Sequence, residues 1–259
     1  MNLPAIVLAG ERPGGNPLAR AFGLPAGVLV DVAGKPCVTR VIETLVASRS
    51  ISGGVICGPV ESIVSASPVF AELLGRGPFR WIPPARGPAD SALAALEQLA
   101  ERPVLLTAAD HALLTPEIVD TFTALAAVRD ADFVVGLVPW PLVQAAYPES
   151  RRTVLKFAGG AYCGSNLYLV RTAAGAGLID LWRDFQALRK QPWKMARAIG
   201  PGTLLSYLLG RLHIETALLR IGDLAGCRIE HVEILNPRAA VDVDSVADHA
   251  LAERILSAC

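Results

Sequence analysis

The feature that most constrains this chain is a repeated alternation. Short apolar runs are followed by longer segments of helical period. Ala5–Ala9, Val28–Val32, Val55–Cys57, Phe79–Ile82, Val104–Thr107 and Asp132–Val138 read as strands. Between them, 36–47, 62–74 and 89–100 place apolar residues at helical spacing, as Val38, Val41, Ile42 and Leu45 do. Thr115-Pro116-Glu117 opens a further helix with a capping residue, a proline at the first helical position and an early acid. This alternation predicts an α/β chain: a mostly parallel mixed sheet with helices on both faces. Ligands of such sheets sit beyond the carboxyl ends of the strands. Chemistry is therefore expected in the loops after Ala9, Ile82 and Thr107.

After Pro139 the pattern changes. Thr153–Phe157 and Asn166–Val170 read as strands flanking Gly159-Gly160, and 172–226 as a helical insertion broken at Pro192, Gly200-Pro201-Gly202 and Gly210. Arg228–Leu235 and Ala240–Val243 return to strand, and Ser245–Ser257 closes as a helix. With no linker and no repeat period, the 259 residues read as a single domain. At 52% hydrophobic residues the chain can bury a large core. Equal numbers of basic and acidic residues, 24 each, exclude a globally basic nucleic-acid binder. Five scattered cysteines without a CxxC suit a reducing cytoplasm rather than a disulfide framework. The apolar N-terminus ends in a Gly- and Pro-rich loop and reads as a buried strand, not a signal peptide. No stretch reaches the ~18 apolar residues of a membrane span.

Three motifs carry chemistry. The first is the loop Leu8-Ala9-Gly10-Glu11-Arg12-Pro13-Gly14-Gly15-Asn16. Glycines after a strand let backbone N–H groups approach a polyphosphate, and an Arg adds charge; the same pattern also serves as a plain turn. It is neither GxGxxG nor a P-loop, since Gly34-Lys35 is followed by Pro36. The second is Thr107-Ala108-Ala109-Asp110-His111, where Asp110 suits either a Mg²⁺ ligand or a turn cap. The third is Val241-Asp242-Val243-Asp244-Ser245: alternation puts both carboxylates on one side, where like charges call for a cation or hydrogen bonds. Ser245 equally suits the cap of the last helix. The four histidines form no HExxH, and there is no GxSxG elbow.

In order along the chain, Leu8-Ala9-Gly10 with Arg12, Ala33-Gly34-Lys35-Pro36, Thr107–Asp110 and Val241–Asp244 resemble the GT-A-type nucleotidyltransferases. The nearest likeness is to molybdenum-cofactor guanylyltransferase-like (MobA-like) proteins and to sugar-phosphate or methylerythritol-phosphate cytidylyltransferases. Arg152-Thr153…Lys156 and Gly164…Asn166-Leu167 resemble a subgroup of that class. The resemblance implies a Rossmann-like GT-A fold and Mg²⁺-dependent transfer of a nucleoside monophosphate from an NTP, CTP or GTP foremost, to a phosphorylated acceptor. It places Gly10, Glu11, Arg12 and Gly15 on the triphosphate, with Leu8 and Ala9 also nucleotide-binding, and Arg86, Gly87, Pro88 and Ser91 on the base and ribose. It makes Asp110, Asp244 and Asp242 metal ligands, and Arg152, Lys156 and Asn166 acceptor-binding residues, with Arg12, Asp110, Asp244 and Lys156 catalytic. One departure stands out: Gly27 occupies the position of the family's triphosphate-neutralising Lys, leaving Arg20 or Lys35 to compensate. Two rivals follow, a nucleotide-binding module without turnover and a GT-A glycosyltransferase using a nucleotide-sugar.

Between Leu181 and Leu212 stand six basic residues (Arg183, Arg189, Lys190, Lys194, Arg197, Arg211) with Trp182 and Trp193 interleaved. The stretch suits a snorkelling helical face, a clamp on a phosphorylated acceptor, or peripheral contact of 182–212 with an anionic membrane.

Overall fold

The computed structural model describes residues 2–11, 14–99, 101–187 and 200–258. Its centre is an eight-stranded sheet. Strands β1 (Leu3–Leu8), β4 (Ile51–Cys57), β5 (Phe79–Ile82), β6 (Val104–Ala108), β7 (Phe133–Pro139) and β10 (Ile229–Glu233) run parallel. β9 (Gly160–Val170) enters antiparallel between β6 and β7, giving the order β10-β7-β9-β6-β1-β4-β5, and β8 (Leu155–Phe157) pairs with its start. Parallel strands buried on both faces need continuous apolar runs, which Ala5, Ile6 and Val7 supply with no exposure at all.

Alternate residues of each strand feed opposite faces. Ala5 and Val7 pack with α2 (Cys37–Ala47), α4 (Pro68–Arg76), α6 (Pro116–Ala127) and α7 (Trp140–Ala146). Ile6 packs with α5 (Pro88–Glu97), α8 (Ala176–Ala187) and, at the margin, α10 (Ile214–Ala225). A third cluster joins Leu18 of α1 (Pro17–Ala21), Val30, Val32, Cys37, Ala112 and Leu113 to Val241, Val243 and Leu251 of α11 (Val246–Ser257). This cluster draws the C-terminal segment onto the loop after β6.

Several expected elements differ. Val28–Val32 is not a strand of the main sheet: Gly27–Leu29 forms a 3-10 turn, and β2 (Asp31–Val32) pairs only with β3 (Lys35–Pro36) in a separate hairpin. Ala33 and Gly34 both take positive φ there, which suits a tight hairpin turn. The helix expected over 62–74 is two, α3 (Glu61–Ala66) and α4, because Pro68 begins a new one. Ala240–Val243 makes no ladder: a 3-10 turn covers Pro237–Ala240 and extended chain follows. α9 (Pro201–Leu208) begins at the expected Gly200-Pro201 break. Thr115 caps α6 through Ile118 N–H, and Ser245 caps α11 through Asp248 N–H at 3.2 Å.

Candidate active site

A cleft of about 1130 Å³ opens beyond the carboxyl ends of β1, β5 and β6. Its rim takes Leu8, Gly10 and Glu11 from the first loop, Arg86, Gly87 and Ser91 after β5, and Asp110 after β6. From the far end of the chain come Asn166, Asp242 and Asp244. Two facts bring these distant residues together. Val243 N–H donates to Asp110 C=O at 2.9 Å. Val241 and Val243 are buried while Asp242 and Asp244 are half-buried, so alternation turns both carboxylates into the cleft although the segment is not a strand.

β9 delivers Asn166 through a bulge. Pairing with β7 slips between Val135 and Leu137, and Asn166 takes φ +52°, a region few non-glycine residues adopt. Ser165 Oγ donates to Gly136 C=O at 2.8 Å inside the bulge. A Cβ at Gly136 would lie 2.6 Å from that hydroxyl oxygen and 2.9 Å from Ile234 Cδ1, so this close approach requires glycine. The bulge aims the Asn166 amide at Asp242, its Nδ2 donating at 3.2 Å.

Asp242 is thereby held from two sides, because Arg152 also pairs with it. The same guanidinium forks onto Asp248 of α11, and the Arg152 side chain is only 9% exposed. Arg152, expected to meet an acceptor phosphate, here faces two carboxylates of its own chain and does not line the cleft. Lys156 lies on β8 outside the lining, its backbone N–H donating to Tyr207 OH at 3.4 Å. Ala9 is buried with its N–H on Cys57 C=O at 2.8 Å, and Gly15 is exposed away from the lining. Arg12 lies outside the described residues, as do Arg189, Lys190, Trp193, Lys194 and Arg197 of the basic stretch.

The departure at Gly27 has a structural counterpart. Gly27 lines the cleft, and its N–H donates to Glu11 Oε1 at 2.7 Å. A Cβ there would come within 2.8 Å of Asn16 Cγ, whose side chain caps α1 through Leu18 N–H and Ala19 N–H. A larger residue at 27 must displace that cap. Lys35 is no substitute inside the cleft, since it pairs with Glu43 on the exposed hairpin at 2.7 Å.

Ser91 organises the loop after β5. Its Oγ accepts from Ala85 N–H at 2.9 Å, fixing the turn that presents Arg86 and Gly87 at the start of α5. His111 is fully buried; desolvation holds its pKa down to about 4, so it is a neutral core residue at pH 7. Burial, reinforced by Asp242 and Asp110, pushes the Tyr168 phenol up, and it remains a neutral group in the cleft wall. Burial and the nearby Asp110 charge likewise raise the Cys37 thiol to about 12, leaving it unreactive.

Among the described residues, no three His, Cys, Asp or Glu side chains gather closely enough to form a ready-made metal cage. Asp110 and Asp244 do offer oxygen donors on one cleft wall. Mg²⁺ is commonly bound by one or two carboxylates with substrate phosphates completing its shell, so this donor set fits that ion.

Sequence reasoning missed Asn16, Asp90 and Gln186, all of which line the cleft, and singled out Trp182 and Arg183 only as part of the basic stretch 182–212. For Asn16 a signal existed: Asn before Pro17 is an N-cap pattern. For α8 the basic stretch was visible, but its place beside the loop after β5 follows only from its packing against α5.

A domain model described as MobA-like NTP transferase matches residues 5–159, more than half of the chain. The chain belongs to the MobA-like NTP transferase domain family. The MobA-like fold extends beyond the matched segment. A hypothetical transferase structure from Thermus thermophilus shares 30% identity, covering 96% of this chain and 100% of that one, with a TM-score of 0.78. A CMP:2-keto-3-deoxy-manno-octonic acid synthetase complexed with CTP superposes with a TM-score of 0.62 at 14% identity, over 100% and 99% of the two chains. A 2-C-methyl-D-erythritol 4-phosphate cytidylyltransferase, also from Thermus thermophilus, superposes at 0.55 and 11% identity, over 99% and 100%. The last two likenesses speak for the fold. No curated protein matches the chain. Among the described residues, no helix is long and apolar enough to cross a membrane.

Proposed function

We propose that this MobA-like protein transfers a nucleoside monophosphate from an NTP, CTP or GTP foremost, to a small phosphorylated acceptor, releasing pyrophosphate and requiring Mg²⁺. The observation that carries the reading is the shared cleft. Asp110 and Asp244, far apart in the chain, both line it beside the first loop at the carboxyl edge of a mostly parallel sheet. Its volume, near 1130 Å³, is on the scale of small-molecule sites, roughly 300–1,000 Å³.

In this reading an acceptor phosphate oxygen attacks the α-phosphorus, the bond from that phosphorus to the β-phosphate oxygen breaks, and pyrophosphate leaves with the electron pair. Mg²⁺ held by Asp110 and Asp244 would supply charge neutralisation for the phosphates. Gly10 and its neighbours allow close backbone approach to the triphosphate, with Arg12 assigned to the leaving group by the family resemblance. Asn166 and Arg152 hold Asp242 in one orientation, which makes them positioning residues. Most of the acceleration then comes from alignment and preorganised charge.

A second reading, nucleotide binding without turnover, is favoured by the anionic Glu11 and neutral Gly27 where the family places a lysine. A pyrophosphate-release screen of the four NTPs with Mg²⁺ against phosphorylated acceptors separates the two. Release with one acceptor supports transfer. Thermal stabilisation by an NTP with no release across the panel supports the binding module.

A further inference from the structure

The cleft has two chemically different ends. One gathers Glu11, Asp110, Asp242 and Asp244, a concentration of carboxylates that calls for a neutralising cation. The other takes Pro84, Ala85, Pro88, Arg86 and Asp90 from the loop after β5 and the start of α5, and α8 of the helical insertion adds Trp182 and Gln186 together with Arg183 and Asp184. Trp182 and Gln186 stand four residues apart on α8, so they share one helix face, and both line the cleft. Gln186 Oε1 reaches to 3.5 Å from where a Cβ on Gly87 would sit, so its amide overlies the loop after β5. Trp182, 37% exposed, presents an aromatic ring one turn away.

An aromatic ring beside an uncharged amide matches the needs of a nucleobase: a flat π-face to stack on, and adjacent donor and acceptor groups for its edge. We infer that α8 is the base-selecting wall of the nucleotide site, Trp182 stacking on the base of the NTP and Gln186 hydrogen-bonding its edge. The inference rests on the nucleotidyl-transfer reading and adds residues that lie beyond the family-matched segment 5–159.

The test compares binding of the four NTPs and of inorganic triphosphate, each with Mg²⁺, to the unaltered protein, Trp182→Ala and Gln186→Glu. Trp182→Ala should weaken all four NTPs about tenfold or more while leaving inorganic triphosphate within about twofold, since stacking is worth that much and has no dependence on phosphate. Retained triphosphate binding also shows that the variant is folded. Gln186→Glu replaces a donor–acceptor pair with acceptors only. Guanine alone presents two adjacent donors on its Watson–Crick edge, so GTP should gain about tenfold relative to the other three. Equal loss of NTP and triphosphate in Trp182→Ala, or no loss of either, overturns the inference, and so does an unchanged base ranking in Gln186→Glu. An unaltered protein that binds no NTP overturns the nucleotidyl-transfer reading itself.

Discussion

Asp110 is the residue whose chemistry is most directly testable. Asp110→Asn keeps the side-chain volume and removes the charge. Loss of pyrophosphate release by about a hundredfold or more is expected, with a melting temperature close to that of the unaltered protein. Retained turnover at saturating Mg²⁺ would refute its assigned role. Single residues of this kind were legible in the sequence because a carboxylate directly after a buried strand must emerge at the ligand-binding edge. Arg152 was not legible in the same way. An arginine in a polar loop has the same local signature whether it meets a substrate phosphate or two carboxylates of its own chain, and its pairing with Asp242 and Asp248 comes from the tertiary fold.

Among the elements, the contact between the loop before β8 and α11 depends on that arginine. Arg152→Met leaves Asp242 and Asp248 without their shared cation, and the side chains are 26% and 16% exposed. A loss of about 3 kcal/mol is expected in urea unfolding, and Arg152→Lys should recover little of it, because an ammonium cannot fork onto two carboxylates. A second joint lies at the far edge of the sheet. Asp132 accepts from Thr172 Oγ1 at 2.6 Å and Arg228 N–H at 2.8 Å, tying the end of β9 and the start of β10 to the start of β7. The Thr172 hydroxyl, then the Arg228 N–H, lower its pKa below the ordinary 3.8. Between the two values the unfolded chain binds more protons. The stabilisation is therefore complete above about pH 4 and lost as pH falls through the lowered folded value. Stability measured from about pH 5 down to pH 2 should fall less steeply in Asp132→Asn. Most strand and helix types followed from periodicity, Val28–Val32 and Ala240–Val243 excepted, whereas the bulge at Asn166 and the small hairpin at Ala33 did not, since both rest on local backbone φ that hydrophobic pattern does not encode.

Across the whole molecule, the family-matched segment ends at residue 159, before β9. A chain cut there loses the strand that joins β6 to β7, together with Val241 and Val243 of the third cluster. It should lack a cooperative unfolding transition by circular dichroism and self-associate through the strand edges opened on β6 and β7; a sharp two-state melt would contradict this account. The alternation of apolar runs determined the class of fold, the edge of the sheet that carries the cleft, and the carboxylates that face it, because these follow from burial and from periods of two and 3.6. Which partner each charged side chain takes, and that α8 walls the cleft beside Gly87, were decided only by tertiary packing. Contacts between residues far apart in the chain depend on how the layers dock, and no local pattern records that docking.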